Sequence, residues 1–381
     1  MTGEVWRFSE GECQVIAVYR PGSPTTSLVA TYGRGFGDDP AITPGVAHLH
    51  EHLFLATLRT VVHEPLVAHA QTHAESMRIT VTVRAGAERQ LVQALATTAH
   101  WLASSPVAEQ MRQRECRAID VELAEWFGSP LLVAGHKLAA LAARRPKLGR
   151  FDECRPGDSA RLTPEDLLRH AKCAELLWPR QIVVAGPSSA QEWQQLLEGL
   201  AARSTVSSLS ATGGSRAGLT AQDGRVYAGI PLPATDAETA WLAARVMVHE
   251  RGPLAEVGRI AGARFRGGSV IPTATGAVVA VSWLTDDARQ REAIGFAMSQ
   301  HDGCVGDGLI AAQAEALPPM RAAAATTSAT LAAAVDGWQS GYGIDPTATE
   351  PPGNKPVSQT MHAGWKRAVL VGANLMRCEP F

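Results

Sequence analysis

Residues 48–52 read His-Leu-His-Glu-His, so three of the chain's 12 histidines and one glutamate occupy five consecutive positions. In a helix, His48 and His52 are four apart and share one face, where two imidazole nitrogens can reach a single ion at about 2.0 to 2.1 Å. Zinc suits that donor set. Glu51 follows His48 by three positions and adjoins His52, so its carboxylate projects to the same edge and can take a proton from a water without ligating the ion. His50 sits two positions from each of the other histidines, on the far side of the helix, and cannot share the ion; its place is incidental or on the substrate side. The order H-x-x-E-H inverts H-E-x-x-H, and the same division of labour follows: two histidines hold zinc and the glutamate is general base.

A catalytic zinc keeps three protein ligands and one open position, so a third ligand must come from elsewhere. The segment RECRAIDVELAE offers Glu115 and Glu122, seven apart and two turns along one face, with Glu125 three positions further. Spacing alone does not choose among them. Arg112, Arg114 and Arg117 also give this helix the makings of a solvated face with i, i+3 ion pairs, which is the reading that suits Glu125 best.

The elements that must position these groups can be read from period. CQVIAVYR and SLVATYG are short strands ended by Gly or Pro, and Thr43, Pro44 and Gly45 form the entrance to the helix VAHLHEHLFLATL. MRITVTVR alternates as a strand, whereas AERQLVQALATTAHWLASS and AEQMRQRECRAIDVELAEWF carry helical periodicity. A helix LTPEDLLRHAKCAELL, a buried strand RQIVVAG and a helix QEWQQLLEGLAA complete an N-terminal domain at 1–203. Residues 204–223, rich in Ser, Thr and Gly with little to bury, read as a linker to a C-terminal domain at 224–381. That half offers RVYAGIPL and GAVVAVSWL as strands, ETAWLAARVMVHE as a helix, and helices around REAIGFAMSQ and MRAAAATTSATLAAAVDGW. A Pro-rich loop from Pro346 to Pro356 precedes a last strand in KRAVLVGA.

At 381 residues the chain exceeds what one ordinary core organises, which agrees with two domains. With 45% hydrophobic and 19% charged residues and a net charge of -2, it belongs to the soluble globular class, without the basic balance that nucleic acid requires. No apolar run is long enough to span a bilayer, and the N-terminus lacks a basic segment followed by an apolar one, so the expected address is the cytoplasm. Six cysteines without a C-x-x-C pair suit a reducing compartment and argue against a cysteine-based zinc site.

GRGFGDDPAITPGVAHLHEHLFLAT, followed seventy residues after His52 (122 − 52) by the end of RECRAIDVE, resembles the ordered signature of the pitrilysin-type peptidases. These are the inverted zincins that include insulysin and the mitochondrial processing peptidase. The resemblance is strong from about 25 to 130 and weaker afterwards, where ELLWPRQIVVAGP resembles the strand that closes the family's first domain. It implies two related α/β sandwich domains, each a mostly antiparallel sheet with helices packed on one face, together forming half of a clam-shaped chamber. It implies Glu122 as the third ligand of one zinc ion per chain and Glu115 as the acid that orients the ligands.

The sequence departs from the family in two regions. The family's N-A-x-T edge segment has its nearest counterpart in HAQT, so His69, Ala70 and Thr72 are the substrate-side candidates, with His63 and His73 nearby. In EVGRIAGARFRGG, Phe265 stands where a tyrosine is expected and Gly258 where an arginine is expected, with Arg259 one position off; Arg264 and Arg266 are the alternatives. A phenyl ring has no hydroxyl to donate to an oxyanion. In two-subunit members one chain carries the zinc motif and the other the arginine and tyrosine. The resemblance therefore implies a zinc endopeptidase acting on peptides, for instance in leader removal. It also implies a heterodimeric partner of similar fold, with a homodimer as the fallback. The competing expectation is a non-catalytic peptide-binding or scaffold subunit.

Overall fold

Alternating β-branched and small apolar residues build the first sheet of this computed structural model, which describes residues 4–62, 67–142, 147, 150, 154–201, 224–233, 237–273, 276–303, 305–339, 354–366 and 368–372. Strands β1 (Val5–Glu10), β2 (Cys13–Tyr19) and β3 (Thr25–Tyr32) lead into α1 (Val46–Val61). The edge strand β4 (Val67–Thr72) and β5 (Met77–Arg84) follow, then α2 (Glu88–Ser104), α3 (Glu109–Phe127) and α4 (Pro130–Ala142). Next come α5 (Pro164–Ala171), the single turn α6 (Ala174–Leu177), β6 (Gln181–Gly186) and α7 (Ala190–Ala201). The sheet order is β1-β2-β6-β3-β5-β4, antiparallel except for the β2/β6 pair.

The second half contributes β7 (Arg225–Pro233), α8 (Ala237–Val248), α9 (Pro253–Ile260), β8 (Arg264–Thr273) and β9 (Gly276–Leu284). It continues with α10 (Ala288–Gln300), α11 (Asp307–Ala314), α12 (Leu317–Ala324), α13 (Ser328–Gln339), α14 (Asn354–Trp365) and β10 (Val369–Gly372). Its sheet, β10-β7-β9-β8, is antiparallel among the described residues. The alanine-rich run expected to be helical is divided between α12 and α13, because the Thr327 hydroxyl accepts from Thr330 N (3.1 Å) and starts a new helix there. The expected loop at 346–356 is described only from Asn354, where α14 begins.

The chain folds into two compact units, each drawn from three stretches. One comprises Met1–Glu125, Phe151–Gly214 and Ala324–Asp336; the other comprises Trp126–Arg150, Ser215–Ala323 and Gly337–Phe381. The linker expected at 204–223 lies outside the described residues. Two helices are thus separated from their sequence neighbours. On the first sheet, Leu28, Ala30 and Tyr32 face the α1 layer, with Tyr32 and Phe54 rings 5.5 Å apart. The opposite face, carrying Ile16, Val29 and Val183, is covered by Leu331, Ala332 and Val335 of α13. Buried Asp336 pins that helix by accepting from Thr31 Oγ1 and Gln181 Nε2, both at 3.0 Å. On the second sheet, α8 and α14 pack on one face around Val226, Ala228 and Ile230. Helix α4 lies on the other face, its Leu138 so close to Gly229 that a Cβ there would meet it at 3.0 Å. Period 2 gives each strand two apolar faces, and each needs a cover; local sequence does not say which helix supplies it.

Candidate metal centre

Helix α1 begins at a point that the chain enforces sterically. Gly45 has φ +85°, and a Cβ on it would lie 2.4 Å from Cys154 Sγ, so no other residue fits. The buried Asp39 carboxylate accepts from Gly45 N (2.7 Å) and Ala47 N (3.1 Å), satisfying amides of the first turn and favouring the helix dipole. From this start α1 carries His48 and His52 on one face, their ring centroids 5.0 Å apart and nearly perpendicular at 75°.

Helix α3 brings two carboxylates to these rings. His48 Nε2 lies 3.3 Å from Glu122 Oε2 and His52 Nε2 lies 3.5 Å from Glu122 Oε1. Glu115, two turns earlier, places Oε2 3.3 Å from His52 Nδ1. That contact requires the proton of a neutral His52 on Nδ1 and leaves Nε2, the atom facing Glu122, with its lone pair. One donor atom from each of His48, His52 and Glu122 falls within 4.8 Å of the others. Two ligands about 2.05 Å from a tetrahedral ion stand roughly 3.3 to 3.4 Å apart, near the two nitrogen–oxygen distances, each imidazole facing a different Glu122 oxygen, and the donor types suit zinc. His48 is 6% exposed whereas the Glu122 side chain is 43% exposed, so the cluster opens to solvent on the α3 side.

Glu51 is buried beside the cluster and accepts a hydrogen bond from Thr72 Oγ1 (2.8 Å), at the end of β4. Burial raises its pKa above the usual carboxylate range, opposed by His48, the Thr72 hydroxyl and His52. Glu122 moves the other way: hydrogen bonding with His48 lowers its pKa against a smaller burial effect. Two neighbouring carboxyl groups therefore differ in proton affinity, the more buried one being the better proton acceptor.

The remaining candidates divide by location. Glu125 is exposed and stands outside the cluster. His50 stands apart from the cluster: it is buried, with its ring edge-on to His170 of α5 at 5.3 Å, and burial pushes its pKa down to about 4. On β4, His69 points outward and is exposed, while Ala70 and Thr72 are half-buried and paired with Ile79 and Met77. His63 lies outside the described residues. In the second unit, Arg259 is exposed and donates to Glu256 Oε2 at 2.8 Å, and Phe265 packs on the core with its ring 6.3 Å from Trp283. Gly258 has a steric reason for being glycine: a Cβ would meet Trp283 Cδ1 at 2.8 Å and Ala263 O at 3.0 Å. No arginine can stand there while Trp283 keeps its place.

Sequence reasoning missed three supports: the Asp39 cap, the Thr72 hydroxyl aimed at Glu51, and Arg114, which donates to Glu115. The first reaches into the helix from a loop residue six positions before Gly45, and the second joins residues 21 apart. The third joins neighbours at i, i+1, a spacing that carries no helical-face signal.

No protein-family model and no curated protein matches this chain. Solved structures do. A protease from Helicobacter pylori superposes with a TM-score of 0.67 at 12% identity, covering 98% of this chain and 100% of that one. An M16-like peptidase structure from Alicyclobacillus acidocaldarius gives 0.63 at 14%, covering 97% of each chain. Pitrilysin gives 0.62 at 14%, with 98% of this chain matching 45% of that one. The fold is that of the pitrilysin-type, M16-like peptidases. Among the described residues no helix is long and apolar enough to cross a membrane.

Proposed function

We propose that this chain, folded as the pitrilysin-type peptidases are, is a zinc-dependent endopeptidase acting on peptides or unfolded segments. The observation that carries the reading is the convergence of one donor atom each from His48, His52 and Glu122 to within 4.8 Å of one another, with buried Glu51 alongside. Zinc held by these three residues would supply a water of lowered pKa and an electrophile for the scissile carbonyl. Glu51 takes the proton of the attacking water and passes it to the leaving amine, and its burial raises its proton affinity. Thr72 holds one Glu51 oxygen, which leaves the other free to face the water. Glu115 fixes the His52 tautomer.

The peptide adds as a strand along the edge strand β4, beside His69 and Ala70, with backbone hydrogen bonds providing most of the affinity. Arg259 pairs with Glu256 and Phe265 has no hydroxyl, so in this reading a partner chain of similar fold supplies the arginine and tyrosine. A second copy of this chain is the alternative partner. The expected setting is the cytoplasm, and removal of a leader segment from a precursor peptide is the task such a subunit would serve. One observation favours a non-catalytic, peptide-binding subunit instead: Gly258 and Phe265 leave the oxyanion without side-chain donors at the expected positions.

Glu51→Gln separates the two readings. The wild type should hold one zinc ion per chain by elemental analysis and cleave an unfolded peptide, alone or with its partner. The variant should keep the metal and lose roughly 10² to 10⁴ in kcat. A metal-free wild type, or a glutamine variant that cleaves at the wild-type rate, ends the proposal.

A further inference from the structure

Glu115 divides its two carboxylate oxygens between two partners. Oε2 faces His52 Nδ1, while Oε1 accepts from Arg114 Nε at 2.8 Å and lies 2.7 Å from Arg114 Nη2. Adjacent side chains on a helix normally point about 100° apart, so this contact requires the Arg114 side chain to fold back along α3 rather than extend into water. The other arginine of this turn does what the helix surface dictates: Arg112 pairs with Glu109 at i, i+3. The Arg114 side chain is 67% exposed and the Glu115 side chain only 14%. One end of the contact therefore lies in solvent and the other reaches the interior edge of the ligand cluster.

We propose that Arg114 is a positioning residue for the metal centre: it fixes the rotation of the Glu115 carboxylate, which in turn fixes the ring of His52. This rests on the zinc reading above. The geometry assigns the role because the guanidinium fork meets Oε1 with an Nε hydrogen bond and with Nη2 2.7 Å away, which fixes the position of that oxygen and leaves Oε2 directed at Nδ1. A lysine ammonium in its place supplies the charge without the fork.

Charge alone predicts the opposite sign. Arg114 is a cation near a site for a dication, so removing it should tighten zinc if Coulomb repulsion were its only influence. If it acts through Glu115, removing it should weaken zinc, because His52 loses its fixed orientation. A pair with its cation in solvent, acting one step from a ligand, implies an effect of about 3- to 10-fold, below the roughly 10- to 100-fold typical of a direct ligand partner such as Glu115.

The test is the zinc dissociation constant of the full-length chain, measured by competition with a chromophoric chelator, for wild type, Arg114→Ala, Arg114→Lys, Glu115→Gln and the Arg114→Ala/Glu115→Gln pair. The expected order of weakening is Glu115→Gln, then Arg114→Ala, then Arg114→Lys, with the metal-free thermal midpoint unchanged by either Arg114 substitution. On the Glu115→Gln background, Arg114→Ala should have no weakening effect, because the residue it acts through is gone. Arg114→Ala binding zinc as tightly as wild type, or tighter, overturns the inference, as does full weakening on the glutamine background. If the wild type itself binds no zinc, the metal reading fails, a result distinct from failure of the Arg114 role.

Discussion

Helices α1 and α8 are both buried against a sheet, one in each unit, yet they bury different chemistry. Helix α8 fills its contact with Leu242, Ala243, Ala244, Val246 and Met247, and its one buried acid, Glu238, is paired with Arg321 of α12. Helix α1 buries Leu49, Leu53, Phe54 and Leu58, but also His48, His50 and Glu51. Desolvating an ionisable group costs stability unless a partner compensates it, so packing alone selects a helix like α8. For His48 and Glu51 the excess polarity of α1 lies where partners arrive from other elements, Glu122 from α3 and Thr72 from β4, while His50 packs against His170. The contrast separates a stretch shaped by burial from one shaped by chemistry.

The comparison can be broken most forcefully by truncating one residue in each helix. His48→Ala should abolish zinc binding and reduce peptide cleavage by on the order of 10³-fold or more while the chain stays folded. Leu242→Ala should leave the zinc dissociation constant alone but destabilise the fold by about 2 to 5 kcal/mol in denaturant unfolding. If the two variants exchanged phenotypes, the division between the helices would be wrong.

Acid should weaken both units through histidines away from the ligands, buried His170 in one and half-buried His136 in the other. Burial drives the pKa of His170 well below its ordinary value and that of His136, in α4, down to about 4. Each stays neutral when folded and takes up a proton when unfolded near pH 6.5, so its stabilising contribution is present above that pH and is lost as the pH falls toward the folded value. Urea unfolding at pH 7 and pH 5 should show a loss of up to about 2 kcal/mol per histidine. His136→Leu or His170→Leu should flatten the dependence, and an unchanged slope in both would refute it.

A smaller effect sharpens the chemical side. Thr72→Val preserves the shape of β4 but removes the donor to Glu51, and kcat should fall about 10-fold with metal content intact, the effect of one hydrogen bond to a charged group. Thr72→Ser should recover most of it.

Strands with strong alternation or continuous apolar character, such as β2, β3, β5, β6 and β9, were legible in the sequence, as were the helices bearing His48 and Glu122. Strand β8 was not: RFRGGSVIPT carries two glycines at a register shift between Phe265 and Gly268, which breaks the alternation by which strands are recognised. Nor was the placement of α4 and α13. Both have apolar faces, and such a face specifies only that something must cover it.

For the centre itself, residue types and spacing on one helix were enough to determine that His48 and His52 share a face and that Glu51 projects beside them, because an α-helix repeats every 3.6 residues whatever surrounds it. Everything that joins different elements was decided by the tertiary fold. Spacing left Glu115, Glu122 and Glu125 equivalent in kind; the packing of α3 against α1 puts Glu122 on the Nε2 atoms, Glu115 on Nδ1 and Glu125 in solvent. The ring of Trp283 forbids a side chain at Gly258 in the same way. Period is a property of a single segment, whereas a distance between segments exists only once the chain has closed on itself.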